Sequence, residues 1–142
     1  MDHVVYVDAK EGELSLLLDG KKHMIIRGAA GRKLPHGRVN IGDRLFFIRN
    51  NGEGLVRAEA EVIDTIHSDK LSEEESRQMV EKYQSDLQLT PAQLKRWAGK
   101  RYLVLVRVGA VCPVAPFAID RSAYGNMDDW LPVGKIADVL IK

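Results

Sequence analysis

Cationic side chains gather around a glycine-containing segment in the first third of the chain. Lys22 and Arg27 flank a short apolar run. Gly28-Ala29-Ala30-Gly31 follows directly and ends at Arg32 and Lys33. Backbone N–H groups of such a loop can face an anion, and neighbouring cations strengthen the interaction. The segment therefore predicts a phosphate site, with a flexible basic loop as the structural alternative.

The charges of the chain are unevenly distributed although its net charge is only +1. Residues 20–57, which include Arg38, carry nine Lys and Arg against two acids, and residues 58–90 carry nine acids against three bases. A neutral chain divided in this way can present one basic and one acidic face. The alternative is that the charges simply follow solvent-exposed positions.

Two tryptophans stand in surroundings suited to a base-stacking role. Trp97 has Lys95, Arg96, Lys100 and Arg101 around it, and Trp130 follows Asp128-Asp129 in a loop rich in Gly and Asn. Aromatic faces beside cations stack nucleobases. The alternative is that each ring closes one end of a small barrel.

Motifs for other chemistries are missing from the sequence. It has no Gly-x-Ser-x-Gly elbow and no Walker phosphate loop. The histidines and Cys112 lack the close spacing of metal ligands, so we predict no metal and no cofactor. Cys112, in an apolar Val-Cys-Pro-Val stretch, is predicted to be a buried, inert thiol.

The order of predicted elements indicates the fold class. Apolar and alternating patterns predict strands at 3–7, 23–27, 43–49, 55–66 and 101–108. Helices are predicted at 11–18, from Ser72 to Leu87 and from Thr90 to near Gly99, the last two opened by capping boxes. Residues 110–120 are expected to be irregular or extended, and 135–141 to be a strand or a helix. This order predicts an α+β protein with a small, mostly antiparallel, barrel-like sheet and an αα insert.

Composition places the chain among ordinary globular proteins. It has 142 residues, 45% hydrophobic and 29% charged, which suits one domain over residues 1–142. The longest apolar run, Val111 to Ile119, contains two prolines and is too short to span a membrane. The N-terminus lacks a signal-peptide pattern, and the single cysteine fits a reducing compartment. We therefore expect a cytoplasmic protein with no membrane partner.

The segment Leu18–Arg27 resembles the ASCH family of the PUA-like superfamily. The family pattern is a short helix followed by Gly-x-Lys-x-x-Glu-x-Arg on a strand, and Gly20, Lys22 and Arg27 match it. Ile25 stands where the family has Glu. Gly42-Asp43 before a strand, and the later order of strands and helices, are also similar over roughly residues 3 to 120.

The resemblance implies a small β-barrel with a cleft associated with RNA or modified nucleosides. Some relatives hydrolyse RNA or an acylated cytosine with a Lys and a carboxylate acting together. Lys22 corresponds to that Lys, but its expected Glu is replaced by Ile25. Glu59 or Glu61, which share one face of the strand 55–66, can substitute, and Glu61 is the preferred acid.

Three functions are compatible with these residues. The first is an RNA- or modified-nucleoside-binding module, with Trp130 in the pocket and a basic cleft made by Lys22, Arg27, Arg32, Lys33 and Arg38. In this hypothesis Lys22 and Arg27 both point toward the loop 28–33. The second is a hydrolase that uses Lys22 and Glu61. The third is a protein-interaction domain that uses the acidic helix 72–87.

Overall fold

The computed structural model describes residues 1–141. The elements follow the predicted order closely. The strands are β1 (Asp2–Val7), β2 (Met24–Ala29), β3 (Arg44–Arg49), β4 (Leu55–His67), β5 (Tyr102–Val108), β6 (Cys112–Ala118) and β7 (Trp130–Gly134). The helices are α1 (Glu13–Leu18), α2 (Glu73–Lys82), α3 (Gln84–Leu87) and α4 (Pro91–Trp97), and a short 3-10 helix spans Ile136–Val139.

The strands form one seven-stranded sheet in the order β2-β5-β4-β3-β1-β7, with β6 also paired to β4. Every pairing is antiparallel except that of β1 with β3. The long strand β4 shifts register between Val62 and Asp64, where it passes from β3 to β5. The sheet curls into a half-barrel whose path ends at β2 and β7. The prediction of an α+β fold with a small, mostly antiparallel barrel-like sheet is confirmed.

Buried apolar side chains occupy both faces of the sheet. Val104 packs in one cluster with Leu17 and Phe47, whereas its neighbour Leu105 packs in another with Val80 of α2. Alternation along β5 explains this division, because successive side chains point to opposite faces. The helical insert therefore covers one face of β5 and β2, and α1 covers the other.

The insert between β4 and β5 is helical, as predicted, but its first helix is shorter than expected. Capping boxes at Ser72 and Thr90 open α2 and α4. The helix predicted to run to Leu87 is interrupted at Tyr83, and α3 follows. The backbone N–H of His23 donates to the carbonyl of Asp86 at 2.8 Å, so the end of α3 is held by the residue before β2.

The C-terminal third contains the elements that the sequence indicated least clearly. The segment expected to be irregular or extended forms β6, and the tail contains the 3-10 helix. Strand β7 was not predicted, because it follows a Gly- and Asn-containing loop and includes Pro132. Pro132 is tolerated there because β7 is an edge strand. Among residues 1–141 no helix is long and apolar enough to cross a membrane.

Candidate functional site

A cavity of about 550 Å³ opens beside the two free edges of the half-barrel. Its walls come from β1, β2, the start of α1, α4, the β3–β4 turn and the loop before β7. The polar and aromatic side chains among its lining residues are Tyr6, Asp8, Glu13, Arg27, Arg49, Asn50, Gln93, Arg96, Trp97, Arg121, Asn126, Asp128 and Asp129. Cavities of this size hold small organic ligands.

Arg27 lines this cavity, and several contacts hold its side chain there. Its Nη1 donates to the carbonyl of Ile26 at 2.8 Å and its Nη2 to that of Tyr6 at 2.6 Å. The guanidinium carbon lies 5.9 Å from the ring centroid of Trp97 and 5.7 Å from that of Trp130. The Nε atom is buried and lies 3.2 Å from Oδ2 of Asp129, an ion pair without hydrogen-bond geometry. Backbone carbonyls, two indole rings and this carboxylate thus fix the side chain.

Helix α4 supplies the aromatic wall. The Thr90 capping box fixes the start of the helix, and Gln93 and Trp97 lie four residues apart on the same face. Arg96 stacks on Trp97, with 4.5 Å between its guanidinium carbon and the ring centroid. Gln93 Nε2 lies 3.4 Å from Asp8 Oδ2. The wall therefore combines a flat apolar ring, a cation and a polar edge.

Two further arginines of the cavity, Arg49 and Arg121, have polar protein partners. Arg49 pairs with Glu53 at 3.0 Å. Hydrogen bonds from Arg57 and Arg49 lower the pKa of Glu53 to about 2, so that carboxylate stays ionised. Arg121 donates to the carbonyls of Gly125 and Asp128 and holds the loop before β7 in place. Arg96, in contrast, has no carboxylate partner within residues 1–141.

Lys22 lies behind the cavity in a buried ion pair. Its Nζ is 3.3 Å from Glu13 Oε2 and also donates to the carbonyl of Leu87. Burial lowers the pKa of the Lys22 ammonium, and the Glu13 carboxylate opposes that shift. Glu13 also lines the cavity and accepts from the backbone N–H of Asp8 at 2.9 Å. Of the two side chains, Glu13 is therefore the one that lines the cavity.

The acid beside Lys22 differs from the predicted one. Glu61 is exposed on β4, where it pairs in register with Arg44, and Glu59 forms an ion pair with the same arginine at 2.8 Å. Glu13 went unnoticed because it lies nine positions before Lys22, across a helix and a turn. The sequence feature that points to Glu13 is its position at the start of a short helix, next to the buried apolar positions Leu14 and Leu17.

The predicted basic cleft is divided in the structure. Of its residues, Arg27 lines the large cavity, while Lys22 is only 1% exposed and points to Glu13 rather than to the loop 28–33. Arg32, Lys33 and Arg38 are exposed on the loop after β2. That loop borders a separate hollow of only about 10 Å³. Strand β2 and its flanking loops therefore do not bring all five cations to one cavity.

Trp130 is a core residue and does not line the cavity. Its ring is 1% exposed, and its Nε1 donates to Nδ1 of His3 at 3.0 Å. Because His3 Nδ1 accepts this bond, its Nε2 carries the proton of the neutral ring and donates to Asp43 at 2.8 Å. Burial lowers the pKa of His3 below its ordinary value, although Asp43 favours the charged ring. Trp97 is the tryptophan that reaches the site.

Two further predictions concern Cys112 and metals. Cys112 is exposed, not buried, because it begins β6, whose side chains lie largely at the surface. Within residues 1–141 no group of three or more His, Cys, Asp or Glu side chains is arranged to hold a metal ion.

Comparison with known proteins identifies the fold. No family model and no curated protein matches the chain. The solved structure of ASCH from Zymomonas mobilis aligns with a TM-score of 0.67 at 14% identity, covering 91% of this chain and 85% of that one. A Tyr-to-Phe mutant of the same protein gives 0.67 at 14% identity, with 91% and 87% covered. A Ser-to-Ala mutant gives 0.66 at 15% identity, with 91% and 85% covered. The chain therefore has an ASCH-like fold.

Proposed function

We propose that this protein binds RNA by taking one nucleotide into the large cavity. The observation that carries the proposal is the pairing of the Trp97 face with the cations Arg27 and Arg96 inside a volume of about 550 Å³. Pockets for nucleotide-sized ligands measure roughly 300–1,000 Å³. The ASCH-like fold supports the proposal, since the resemblance implies a cleft associated with RNA or modified nucleosides.

The chemistry of the cavity suits the parts of a nucleotide. A base can stack on Trp97 in place of, or against, the guanidinium of Arg96, because both have flat faces. The amide of Gln93 and the carboxylate of Asp8 offer a donor and an acceptor for the edge of the base. Arg96 has no carboxylate partner among the described residues, so its charge is available for a phosphate.

Arg27 is the second group suited to a phosphate. Its guanidinium is held by two backbone carbonyls, so little side-chain entropy is lost when a ligand binds. Its Nε lies 3.2 Å from the partly exposed carboxylate of Asp129, but without hydrogen-bond geometry. A phosphate oxygen that makes a charge-assisted hydrogen bond with this guanidinium is favoured over a neutral oxygen.

The proposal is tested by equilibrium binding of short oligoribonucleotides. Trp97→Leu and Arg96→Ala should each weaken binding, and loss of one stacked base corresponds to about 1–3 kcal/mol. The matched control is Arg44→Ala, an exposed arginine that pairs with Glu59 at the opposite end of β3 from the cavity residue Arg49. Undetectable binding by the wild-type protein at low salt would refute the proposal, as would equal losses for Arg96→Ala and Arg44→Ala.

A second candidate function is hydrolysis of RNA or an acylated nucleoside in the same cavity. The observation that favours it is the buried Lys22–Glu13 pair, whose carboxylate faces the cavity. Glu13 would accept a proton from a water molecule whose oxygen attacks the acyl carbon or the phosphorus. The acyl C–N bond or the P–O bond to the leaving nucleoside then breaks, and Glu13 returns the proton to the leaving nitrogen or oxygen. Lys22 would hold the Glu13 carboxylate in position.

This candidate predicts turnover of an acylated cytidine or of RNA by the wild-type protein. Glu13→Gln keeps an oxygen for the backbone N–H of Asp8 but cannot accept the proton, so it should abolish turnover, and circular dichroism checks that the variant is folded. Glu61→Gln serves as the control, because Glu61 is exposed and forms no ion pair with Lys22. Turnover that survives Glu13→Gln would exclude this role.

A further inference from the structure

A second, smaller hollow lies on the other side of Arg27. Arg27 lines both the large cavity and this hollow, so the two depressions adjoin. The hollow is bordered by the loop after β2 and by the start of β5. Its other lining residues are Gly28, Ala29, Gly31, Lys33, Leu34, His36, Tyr102 and Val104, and none of them is acidic.

Lys100 contacts one residue of each depression. Its backbone N–H donates to the carbonyl of Trp97 at 3.2 Å, so it directly follows the aromatic wall of the cavity. The stem of its side chain lies over Gly28, which borders the hollow and where an added Cβ would be 3.1 Å from Lys100 Cβ and 2.9 Å from Leu103 Cδ2. Glycine at position 28 therefore permits the close approach of this exposed lysine.

The hollow repeats the aromatic–cation pairing of the cavity. Arg32 lies over Tyr102 with 5.7 Å between its guanidinium carbon and the ring centroid, as Arg96 lies over Trp97. Arg32 and Lys33 are exposed and have no carboxylate partner within residues 1–141. Successive aromatic platforms separated by cations are the arrangement with which proteins follow a single strand.

We infer that the protein holds single-stranded RNA longer than one nucleotide, and this inference rests on the proposed function. One nucleotide occupies the large cavity, and the adjoining nucleotides follow the Lys100 track, which we define as Lys100, Arg32, Lys33 and Tyr102. The cations contact phosphates, and Tyr102 stacks a second base. The track thus sets a minimum length for tight binding and adds a salt-dependent contribution to affinity.

The test compares uridine monophosphate with a uridine hexanucleotide. A triple variant, Arg32→Gln with Lys33→Gln and Lys100→Gln, should weaken binding of the hexanucleotide and leave that of the monophosphate unchanged. Each phosphate contact with a single strand contributes about 0.7 to the slope of log K against log salt, so three lost contacts reduce the slope by roughly 2. Arg44→Gln with Lys82→Gln and Lys135→Gln removes the same charge from exposed positions that line neither depression and should change neither ligand's affinity.

Four results would overturn the inference, and the last is distinguishable from the others. Equal affinities of the wild-type protein for monophosphate and hexanucleotide would refute the track and leave the cavity standing. If the two triple variants have equal slopes of log K against log salt for the hexanucleotide, the track is likewise refuted and the cavity stands. Binding of a heparin oligosaccharide as tightly as the hexanucleotide would show a polyanion surface without base stacking. Failure of both nucleotide ligands to bind would refute the proposed function itself, and the inference with it.

Discussion

The Nε atom of Arg27 lies 3.2 Å from Oδ2 of Asp129, and this pair bridges the two open edges of the half-barrel. Arg27 belongs to β2, at one end of the strand order, and Asp129 directly precedes β7, at the other end. The Arg27 side chain is 9% exposed, whereas that of Asp129 is 43% exposed. A phosphate that approaches Arg27 from solvent therefore meets Asp129 as a like-charged neighbour.

Asp129→Asn should raise the affinity for a nucleoside monophosphate while leaving that for the uncharged nucleoside nearly constant. Two unit charges 4 Å apart in water repel by about 1 kcal/mol, which corresponds to a gain of about five-fold. Isothermal calorimetry with both ligands measures the difference. A loss of monophosphate affinity, or the same gain for the nucleoside, would show that Arg27 is not the phosphate contact.

The Lys22–Glu13 pair should show strong energetic coupling. Lys22→Met leaves the Glu13 carboxylate buried without its partner, and breaking a buried pair in this way costs about 3–5 kcal/mol. Adding Glu13→Gln removes the orphaned charge, so the double variant should be more stable than Lys22→Met alone. Urea unfolding of the wild-type protein, both single variants and the double variant gives the coupling free energy. Additive losses would mean that the two side chains act independently.

The burial of His3 should make the protein less stable in mild acid. The unfolded chain protonates His3 near the ordinary value of about 6.5, but burial lowers the pKa of His3 in the folded chain, which therefore stays neutral. Between the two values the unfolded state binds more protons, so the free energy of unfolding falls as pH falls below about 6.5. Asp43 and Asp2 favour the charged ring but do not outweigh burial.

His3→Gln isolates this effect. A glutamine oxygen can accept from Trp130 Nε1 and its amide can donate to Asp43, but the side chain does not titrate. The decline in stability between pH 7 and 5 should therefore be smaller in His3→Gln than in the wild-type protein. His23→Gln, at an exposed position, should keep the wild-type decline. Identical pH profiles for the wild-type protein and His3→Gln would contradict the assignment.

Leu105 should be among the side chains on which stability depends most. It is fully buried on the face of β5 that packs against α2, and truncation of such a leucine costs about 2–5 kcal/mol. Leu18→Ala is the matched control, because Leu18 is 37% exposed at the end of α1 and its truncation should change stability by less than about 0.5 kcal/mol. Equal losses in chemical denaturation would place Leu105 outside the core.

The fold was predictable from local patterns because each of its main elements has a strong signal of its own. Ser72 and Thr90 are the first residues of capping boxes that the structure contains, and the turn at Asn50-Asn51-Gly52 joins β3 to β4. Strand β7 lacks such a signal, since its pairing with β1 depends on tertiary contact and its interior includes Pro132. Weak local preference and an edge position explain why it was missed.

The site was predictable only in part, because it combines residues from distant elements. Arg27 and Trp97 were both recognised as candidates, but their separation of 5.9 Å depends on how α4 packs beside β2. Lys22 was identified with the wrong acid, because Glu13 reaches it through the turn after α1. Arg32 and Lys33 lie outside the cavity, since the loop after β2 bends around the smaller hollow.

The central claim is that a nucleotide stacks on Trp97, and the two indole N–H signals of the protein test it directly. Trp97 faces the cavity, while the indole N–H of Trp130 is buried and bonded to His3. In a proton–nitrogen correlation spectrum, with signals assigned by Trp97→Phe, titration with uridine monophosphate should shift the Trp97 signal in a saturable manner and move that of Trp130 far less. The account is contradicted if the protein becomes saturated with uridine monophosphate and the Trp97 signal does not shift. It is also contradicted if the Trp130 signal alone shifts.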